Sequence, residues 1–135
     1  MSAASNYLEN AVLNHVLRNT AFSQPGALYL GLFRNQSGNA AANLEAGTLT
    51  DEVSGGSYAR KLVTFAAASG GTAATSATVT FDTATANWGT ITHVAVLDSL
   101  TSGNVLFWGA VTTSKTIETG DTFQVSSGNL TISLA

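Results

Sequence analysis

The 135-residue sequence contains no cysteine, one proline and few charged side chains. Without cysteine, neither a disulfide framework nor a thiolate metal site can form. Only 10% of the residues are charged, against about 25% in typical soluble domains, so the surface must consist largely of Thr, Ser, Asn, Gly and Ala. Such a surface loses little when it is covered, because few charged groups need desolvating. The composition favours a protein that works in an assembly, although an ordinary low-charge β domain fits it nearly as well.

The chain also lacks a cluster of positive charge and a long apolar run. Its net charge is −3, and of its basic residues only Arg60 and Lys61 are adjacent. Nucleic-acid binding gains affinity from clustered Lys and Arg through counterion release, so no nucleic-acid partner is expected. No apolar run approaches the roughly 20 residues of a membrane helix, and the first residues lack the basic and apolar regions of a signal peptide. We expect a soluble protein with no membrane partner.

The N-terminal stretch SNYLENAVLNHVLRNT predicts a helix over about residues 6–19. Leu8, Val12 and Val16 recur at four-residue spacing, with Leu13 and Leu17 beside them, which is typical of one helix face. Either Ser5 or Asn6 can cap the first turn. An apolar stripe of this kind normally packs against a neighbouring element, and we expect the following sheet to bury it.

A segment over about residues 35–57 has a different composition, rich in Asn, Gly, Ala and Ser. It predicts a long loop, longer than compact domains usually contain without a functional reason. The loop carries the acidic pair Asp51 and Glu52. Since long loops are often binding elements, we expect this one to contact a partner.

The remaining stretches predict seven or eight short β-strands rich in Thr, Val and aromatic residues. They are GALYLGLF, YARKLVTF, ATVTF, ITHVAVLD, NVLFWGAVTT, KTIET, TFQVSSG and NLTISLA. Glycine-centred turns at 102–104 and 119–121 predict hairpins. Residues 1–135 are therefore expected to form a single, mainly β domain, either an antiparallel β-sandwich or a jelly-roll-like barrel, with one N-terminal α-helix.

Side chains capable of catalysis do not form a recognisable motif. His93 and His15 lack metal or protease spacing, and a lone histidine in an apolar strand is more often a core or interface residue. Carboxylates at predicted turns usually accept hydrogen bonds from nearby backbone amides, and they show no glycosidase signature. These carboxylates are Asp82, Asp98, Glu118 and Asp121. We predict that the chain is not an enzyme, and we expect no metal and no cofactor.

Aromatic side chains offer a second possible site, a platform for a sugar ring. The candidates are Phe81, Trp88, Phe107 and Trp108. They lie within predicted strands or at strand starts, and aromatic side chains dominate β cores, so core packing is the favoured interpretation. Gly89 is expected to mark the turn into the strand of His93, because glycine adopts backbone angles that other residues resist.

Four motifs carry a resemblance to a known family. They are YLEN at 7–10, GGSYAR at 55–60, NWGTITH at 87–93 and LFWGAVTTSKTI at 106–117. With their surroundings they cover nearly the whole chain apart from the loop. The sequence resembles small virion proteins of tailed phages, often labelled tail fibre or decoration proteins. The resemblance implies a structural protein of the virion, made in the bacterial host cytoplasm, and it implies no catalytic residue.

Within that class we expect a capsid decoration, or cement, protein that binds the outer shell and stabilises capsomers. The alternative is a tail fibre, adaptor or receptor-binding module, and a second alternative is a carbohydrate-binding module. The expected partners are the major capsid protein and further copies of the chain, with a trimer as one expected form, or tail proteins in the alternative. The candidate partner-contact residues are Tyr7, Leu8, Val12, Val16, Asp51 and Glu52.

Overall fold

The computed structural model describes residues 3–134, which form nine strands and two helices. The strands are β1 (Ala3–Ala4), β2 (Tyr29–Phe33), β3 (Lys61–Leu62), β4 (Thr72–Ala74), β5 (Val79–Thr80), β6 (Gly89–Leu97), β7 (Val105–Ile117), β8 (Gln124–Val125) and β9 (Thr131–Ser133). The helices are α1 (Asn6–Leu17) and α2 (Ala40–Ala46).

A five-stranded sheet in the order β1-β7-β6-β2-β3 organises the molecule, and each of its neighbouring strands is antiparallel. Strands β6 and β7 form a long hairpin in which Ala95 pairs with Trp108 and Val94 pairs with Gly109. Directly paired residues point to the same face of a sheet. Ala95 and Trp108 therefore lie on one face, and Val94 lies on the other.

Two short ribbons, β4–β9 and β5–β8, cover the face that carries Val94. Val79 of β5 and Ile132 of β9 belong to the same buried cluster as Leu30 and Val96 of the sheet. Because β5 and β9 bring apolar residues from distant parts of the chain onto one sheet, this larger core joins the two β layers. The loop aromatics Phe81 and Phe123 pack edge to face within it, with ring centroids 5.8 Å apart.

Helix α2 covers the opposite face of the sheet. Its Leu44 is fully buried with Phe33, Ala95 and Leu97, and Trp108 packs against this smaller core. The prediction of a long loop over about residues 35–57 is therefore wrong at residues 40–46, which form α2. The short stretch AAANLEA has two buried apolar residues, Ala40 and Leu44, and packing against the sheet supplies the stability that so short a helix lacks by itself.

The predicted fold class is confirmed, because the described part of the chain is mainly β, with antiparallel sheets and an N-terminal helix. The ribbons supply the second layer of a sandwich-like arrangement, and within residues 3–134 the sheets do not close into a barrel. The turn at 102–104 lies in the β6–β7 hairpin, as predicted. The turn at 119–121 was predicted as a hairpin, but it links β7 to β8, which belong to different sheets.

Helix α1 begins and ends close to the predicted bounds, but the prediction that its apolar stripe is buried is wrong. Leu8 is the one buried residue that it contributes to the interior. The apolar side chains of its last two turns, Val12, Leu13, Val16 and Leu17, are exposed. Neither helix in residues 3–134 has the length and apolar character needed to cross a membrane.

Candidate functional site

The start of α1 is anchored to the edge of the sheet through Ser5. This residue is fully buried, and its backbone N–H donates to the carbonyl of Leu106 at 2.9 Å. Its hydroxyl donates to the carbonyl of Val105 and accepts from the backbone N–H of Leu8, which caps the helix. The first turn of α1 is thus fixed to β7, and the later turns carry the exposed surface.

The outer face of α1 consists of four apolar side chains in its last two turns. They are Val12, Leu13, Val16 and Leu17. Val16 is 69% exposed and Leu17 is 73% exposed. Residues three and four apart are neighbours on a helix surface, so these side chains form one contiguous patch. Contiguous exposed apolar patches mark interaction surfaces more often than scattered single residues do.

The predicted contact residues on α1 fall into two groups. Tyr7, Val12 and Val16 are exposed, whereas Leu8 is buried. Tyr7 also packs edge to face on Phe22, with ring centroids 6.5 Å apart, so the chain after the helix folds back along it. Leu13 and Leu17 were not among the predicted contact residues, because an apolar stripe in sequence does not show whether its own chain covers it.

The predicted contact residue Asp51 lies inside the protein, where it is 1% exposed. Its carboxylate accepts hydrogen bonds from the backbone N–H of Ser37 at 2.9 Å, from the Ser37 hydroxyl at 2.6 Å and from the Asn43 amide at 3.3 Å. Burial raises the pKa of Asp51, but these hydrogen bonds outweigh it and hold the pKa below its ordinary value. Asp51 therefore stabilises the segment around α2.

The neighbouring acidic residue, Glu52, also has internal partners. Arg60 donates to both of its carboxylate oxygens at 2.7 Å, and the Tyr58 hydroxyl donates to it at 2.8 Å. The guanidinium of Arg60 further donates to the carbonyls of Ser99 and Ser102 at 2.7 and 2.8 Å. Burial lowers the pKa of Arg60, but the bonds to Glu52 raise it by more. This network holds the β6–β7 turn.

His93 occupies a half-buried position on the α2 side of the sheet. Its Nδ1 pairs with the Thr92 hydroxyl at 2.8 Å, and its ring lies 6.3 Å from that of Trp108. Burial lowers the pKa of His93, with a smaller opposing effect from Asp51. In the described part of the chain, no group of three or more His, Cys, Asp or Glu side chains is placed to hold a metal ion.

Two of the carboxylates considered for acid–base chemistry, Glu118 and Asp121, share one turn, and each of the others has its own local partner. Asp98 accepts from the backbone N–H of Asn104 at 2.8 Å, and Asp121 accepts from that of Glu118 at 2.9 Å. Asp82 instead forms an exposed ion pair with Lys61. The prediction that turn carboxylates bond local backbone is confirmed at Asp98 and Asp121.

Two of the motifs that carry the family resemblance meet in the core. Trp88 is 1% exposed, and its indole N–H donates to the carbonyl of Gly56 at 2.9 Å. A Cβ at Gly56 would lie 2.8 Å from that nitrogen, so the close approach requires glycine. Tyr58 packs edge to face on Trp88, and Gly89 has the expected positive φ of 87°. The motifs GGSYAR and NWGTITH therefore specify a packing contact.

The aromatic side chains considered as a sugar platform are divided between core and surface. Phe81 and Trp88 are buried, which confirms core packing for both. Phe107 and Trp108 are half-buried, and the indole N–H of Trp108 donates to Glu45 of α2 at 2.6 Å. Trp108 is the one of the two tryptophans that solvent reaches.

Two clefts lie beneath the β4–β9 ribbon, and sequence inspection did not reveal them. One has a volume of about 190 Å³ and is lined in part by Val125 of β8, and the other has a volume of about 230 Å³ and is lined in part by Thr72 and Ala73 of β4. Val96, Phe107 and Ile132 line both clefts. Their lining is assembled from strands far apart in the chain, so no local pattern signals them.

The fold and its surfaces define a β-rich structural module with an exposed apolar helix. A family model described as "Podophage GP4 fiber I protein gp80" matches residues 3–133. The chain belongs to this family, so it is a phage virion structural protein of the fibre type, and the resemblance found in the sequence is confirmed. Among curated proteins, no match was found.

Proposed function

We propose that this chain is a module of a phage tail fibre. The observation that carries the proposal is the match to a fibre protein family over residues 3–133. Because the match spans both layers of the fold and α1, it concerns the whole described domain. Capsid decoration was the first expectation from sequence, and the family description favours the tail fibre alternative over it.

Capsid decoration is the second candidate, and the composition is the observation that favours it. Only 10% of residues are charged, and the chain has no heptad repeat of the kind that builds a coiled-coil shaft. A small, weakly charged domain can cover a shell through many modest contacts that add by avidity. The major capsid protein would then be its partner.

The carbohydrate-binding alternative depends on a solvent-facing aromatic ring, and Trp108 is the residue to consider. It is half-buried beside His93 and is hydrogen-bonded to Glu45. As a receptor-binding module of a fibre, the domain would use such a ring to stack on a sugar. Quenching of tryptophan fluorescence by a glycan panel, lost in Trp108→Phe, tests this role, since buried Trp88 supplies the unquenched background.

We further propose that the module assembles with copies of itself through the outer face of α1. Val12, Leu13, Val16 and Leu17 expose apolar surface that the monomer leaves uncovered. Covering such surface is favourable, at about 25 cal/mol per Å², and no charged group intervenes along these two turns. Homo-oligomers with closed symmetry are the commonest soluble assemblies.

The first experiment measures the copy number of this chain per virion, relative to the major capsid protein, by quantitative mass spectrometry of purified particles. Immunogold labelling of the same particles locates the chain. A few copies per particle, with gold on the tail, are expected. A copy number close to that of the shell protein, with gold over the capsid, would establish decoration instead. Absence from particles would overturn both proposals.

A further inference from the structure

We propose that the β4–β9 ribbon, together with the hairpin that contains β4, forms a flap that opens while the rest of the domain remains folded. The flap comprises residues 66–74 and 131–134. Its opening uncovers the apolar floor of the two clefts. The inference concerns the domain itself, so it goes beyond the proposed function and does not rest on it.

The flap is hydrogen-bonded to itself and not to the main sheet. The Ala66 N–H donates to the carbonyl of Ala74 at 2.9 Å, and the Leu134 N–H donates to that of Gly71 at 2.9 Å. Gly70 and Gly71, with φ of 61° and 78°, form the tight turn of the hairpin. Over residues 3–134, neither β4 nor β9 pairs with a strand of the five-stranded sheet. Opening therefore breaks no ladder between the flap and that sheet.

One large side chain holds the flap to the core. Of the flap residues, all of which the structure describes, only Ile132 belongs to the buried cluster beneath the ribbons. Ala73 pairs with Ile132 and faces the main sheet with it, but its methyl group is too short to fill the space below. Ala68, Ala73 and Ile132 line the larger cleft, of about 230 Å³. Side chains that border a void lose packing contacts on that side, so the flap is weakly held.

The base of the flap is anchored more firmly. Thr75 is 3% exposed, its N–H donates to the carbonyl of Leu130 at 3.0 Å, and its hydroxyl accepts from the Gly128 N–H at 3.0 Å. Phe65 bridges Thr75 across the hairpin and packs against the core. These contacts mark the boundary of the flap, because they hold the chain on both sides of the hairpin.

A segment with few buried apolar contacts opens at a lower free energy than the whole domain. A short ribbon without a core is at best marginally stable in water, so the flap loses its own hydrogen bonds when it leaves the sheet. Opening uncovers Val96 and Phe107, which line both clefts. Because Ile132 also lines both, its withdrawal joins them into one apolar groove. The flap thus controls access to that groove.

Native-state amide hydrogen exchange, followed residue by residue by NMR, tests the flap. The reference is Phe81, whose N–H donates to the carbonyl of Phe123 at 2.9 Å in the core. We expect Ala66 and Leu134, distant in the chain, to share one opening constant, at least about 100-fold larger than that of Phe81. Opening at Ala66 as rare as at Phe81 would show that the flap unfolds only with the whole domain, and would overturn the proposal. Fast exchange at Leu134 with Ala66 still protected would show fraying of β9 alone and would also overturn it.

Filling the larger cleft provides a second measurement. Ala73→Ile extends an apolar side chain into it, whereas Ala67→Ile makes the same change at an exposed flap residue that lines neither cleft. We expect Ala73→Ile to lower the opening constant of the flap at least about tenfold and Ala67→Ile to leave it unchanged. Equal effects of the two substitutions in folded protein, checked by circular dichroism, would contradict the inference.

Removal of the anchor tests the same point if Ala73→Ile does not fold. Ile132→Ala should raise the opening constant of the flap at least about tenfold, because it deletes the buried side chain that holds the flap to the core. Val79→Ala, at a buried position of β5, is the control and should leave the difference between Ala66 and Phe81 no larger. An Ile132→Ala variant in which Ala66 exchanges as slowly as in the wild type would overturn the proposal.

Discussion

Asp51 and Glu52 are neighbours in the chain, but their carboxylates enter different networks. Asp51 accepts neutral hydrogen bonds from Ser37 and Asn43, while Glu52 pairs with the guanidinium of Arg60. Asp51 lies in a turn, in which the Glu52 N–H donates to the Leu49 carbonyl at 3.1 Å, whereas Glu52 bridges to Phe33 of β2. That the two acidic residues are adjacent in the sequence therefore does not mean that they have the same role.

We expect Asp51→Asn to destabilise the protein by about 1–3 kcal/mol, because the new amide faces the donors of Ser37 and leaves a buried group unsatisfied. Asp82→Asn removes an exposed ion pair and should cost no more than about 1 kcal/mol. Urea denaturation at neutral pH measures both. Equal effects of the two substitutions would contradict the buried role of Asp51.

The stability that Asp51 contributes should depend on pH. Its pKa is lowered in the folded protein, so its contribution is present above the unfolded pKa of about 3.9. It is lost as the pH falls through the folded pKa, where the folded carboxylate is finally protonated. Denaturation midpoints of the wild type and Asp51→Asn should therefore converge in acid.

His93 predicts a second pH dependence at milder acidity. Burial lowers its pKa below the ordinary value of 6.5, so the unfolded chain binds the proton first as the pH falls. Stability should decrease from about pH 6.5 down to the folded pKa, by at most about 1.4 kcal/mol per pH unit. His93→Gln should remove this decrease, whereas His15→Gln, on the exposed side of α1, should retain it. Denaturation at several pH values between 5 and 8 measures the slope.

At the scale of elements, Arg60 links two segments beyond its own, the one that carries Glu52 and the β6–β7 turn. One side chain contacts Glu52 and the backbone at both Ser99 and Ser102. Gly103 completes the turn, because a Cβ there would lie 2.6 Å from the Asp98 carboxylate. The β6–β7 turn is therefore ordered from outside the hairpin as well as from within it.

We expect Arg60→Met to destabilise the fold by about 3–5 kcal/mol, because it leaves Glu52 half-buried and unpaired. Amide hydrogen exchange over residues 98–104 should rise most, since the carbonyls of Ser99 and Ser102 lose their donor. Lys61→Met breaks the neighbouring exposed pair and should change stability by less than about 1 kcal/mol. An unchanged exchange rate in the turn of the Arg60 variant would argue against the proposed bracing.

At the scale of the whole molecule, low charge and an uncovered apolar helix act together. The 135-residue chain has only 13 acidic and basic residues, so electrostatic repulsion between copies is weak. The net charge reaches zero at a pI of about 5.0. Net charge is the main electrostatic barrier to nonspecific association. Contacts between copies through the outer face of α1 are therefore most favoured at the pH where the net charge is zero.

Solubility should accordingly pass through a minimum near the pI and recover on either side, because a net charge close to zero promotes association. Turbidity measured against pH for the wild-type protein tests this. Leu17→Lys should shift the minimum to higher pH and make it shallower, since it adds positive charge and removes apolar surface. Leu62→Lys adds the same charge elsewhere, so a difference between the two variants reports on α1 itself.

Several features could be predicted from the sequence because their signals are local. The bounds of α1 follow from the spacing of Leu8, Val12 and Val16 and from the cap at Ser5, all within a few turns. The turn into β6 follows from Gly89, because glycine adopts a positive φ without steric cost. The mainly β character follows from short stretches rich in Thr and Val. Each of these depends on residues that are close together in the chain.

The tertiary structure alone decided which of these residues lie inside. Periodicity groups Leu8 with Val16 on one apolar stripe, but Leu8 is buried and Val16 is exposed. The burial of Asp51, the helix α2 and the clefts around Ile132 arise from contacts between segments far apart in the chain. The physical reason is that burial depends on the partner surface as much as on the residue. Sequence patterns determined the elements, and the packing of distant strands determined the core, the internal networks and the apolar faces left for other molecules.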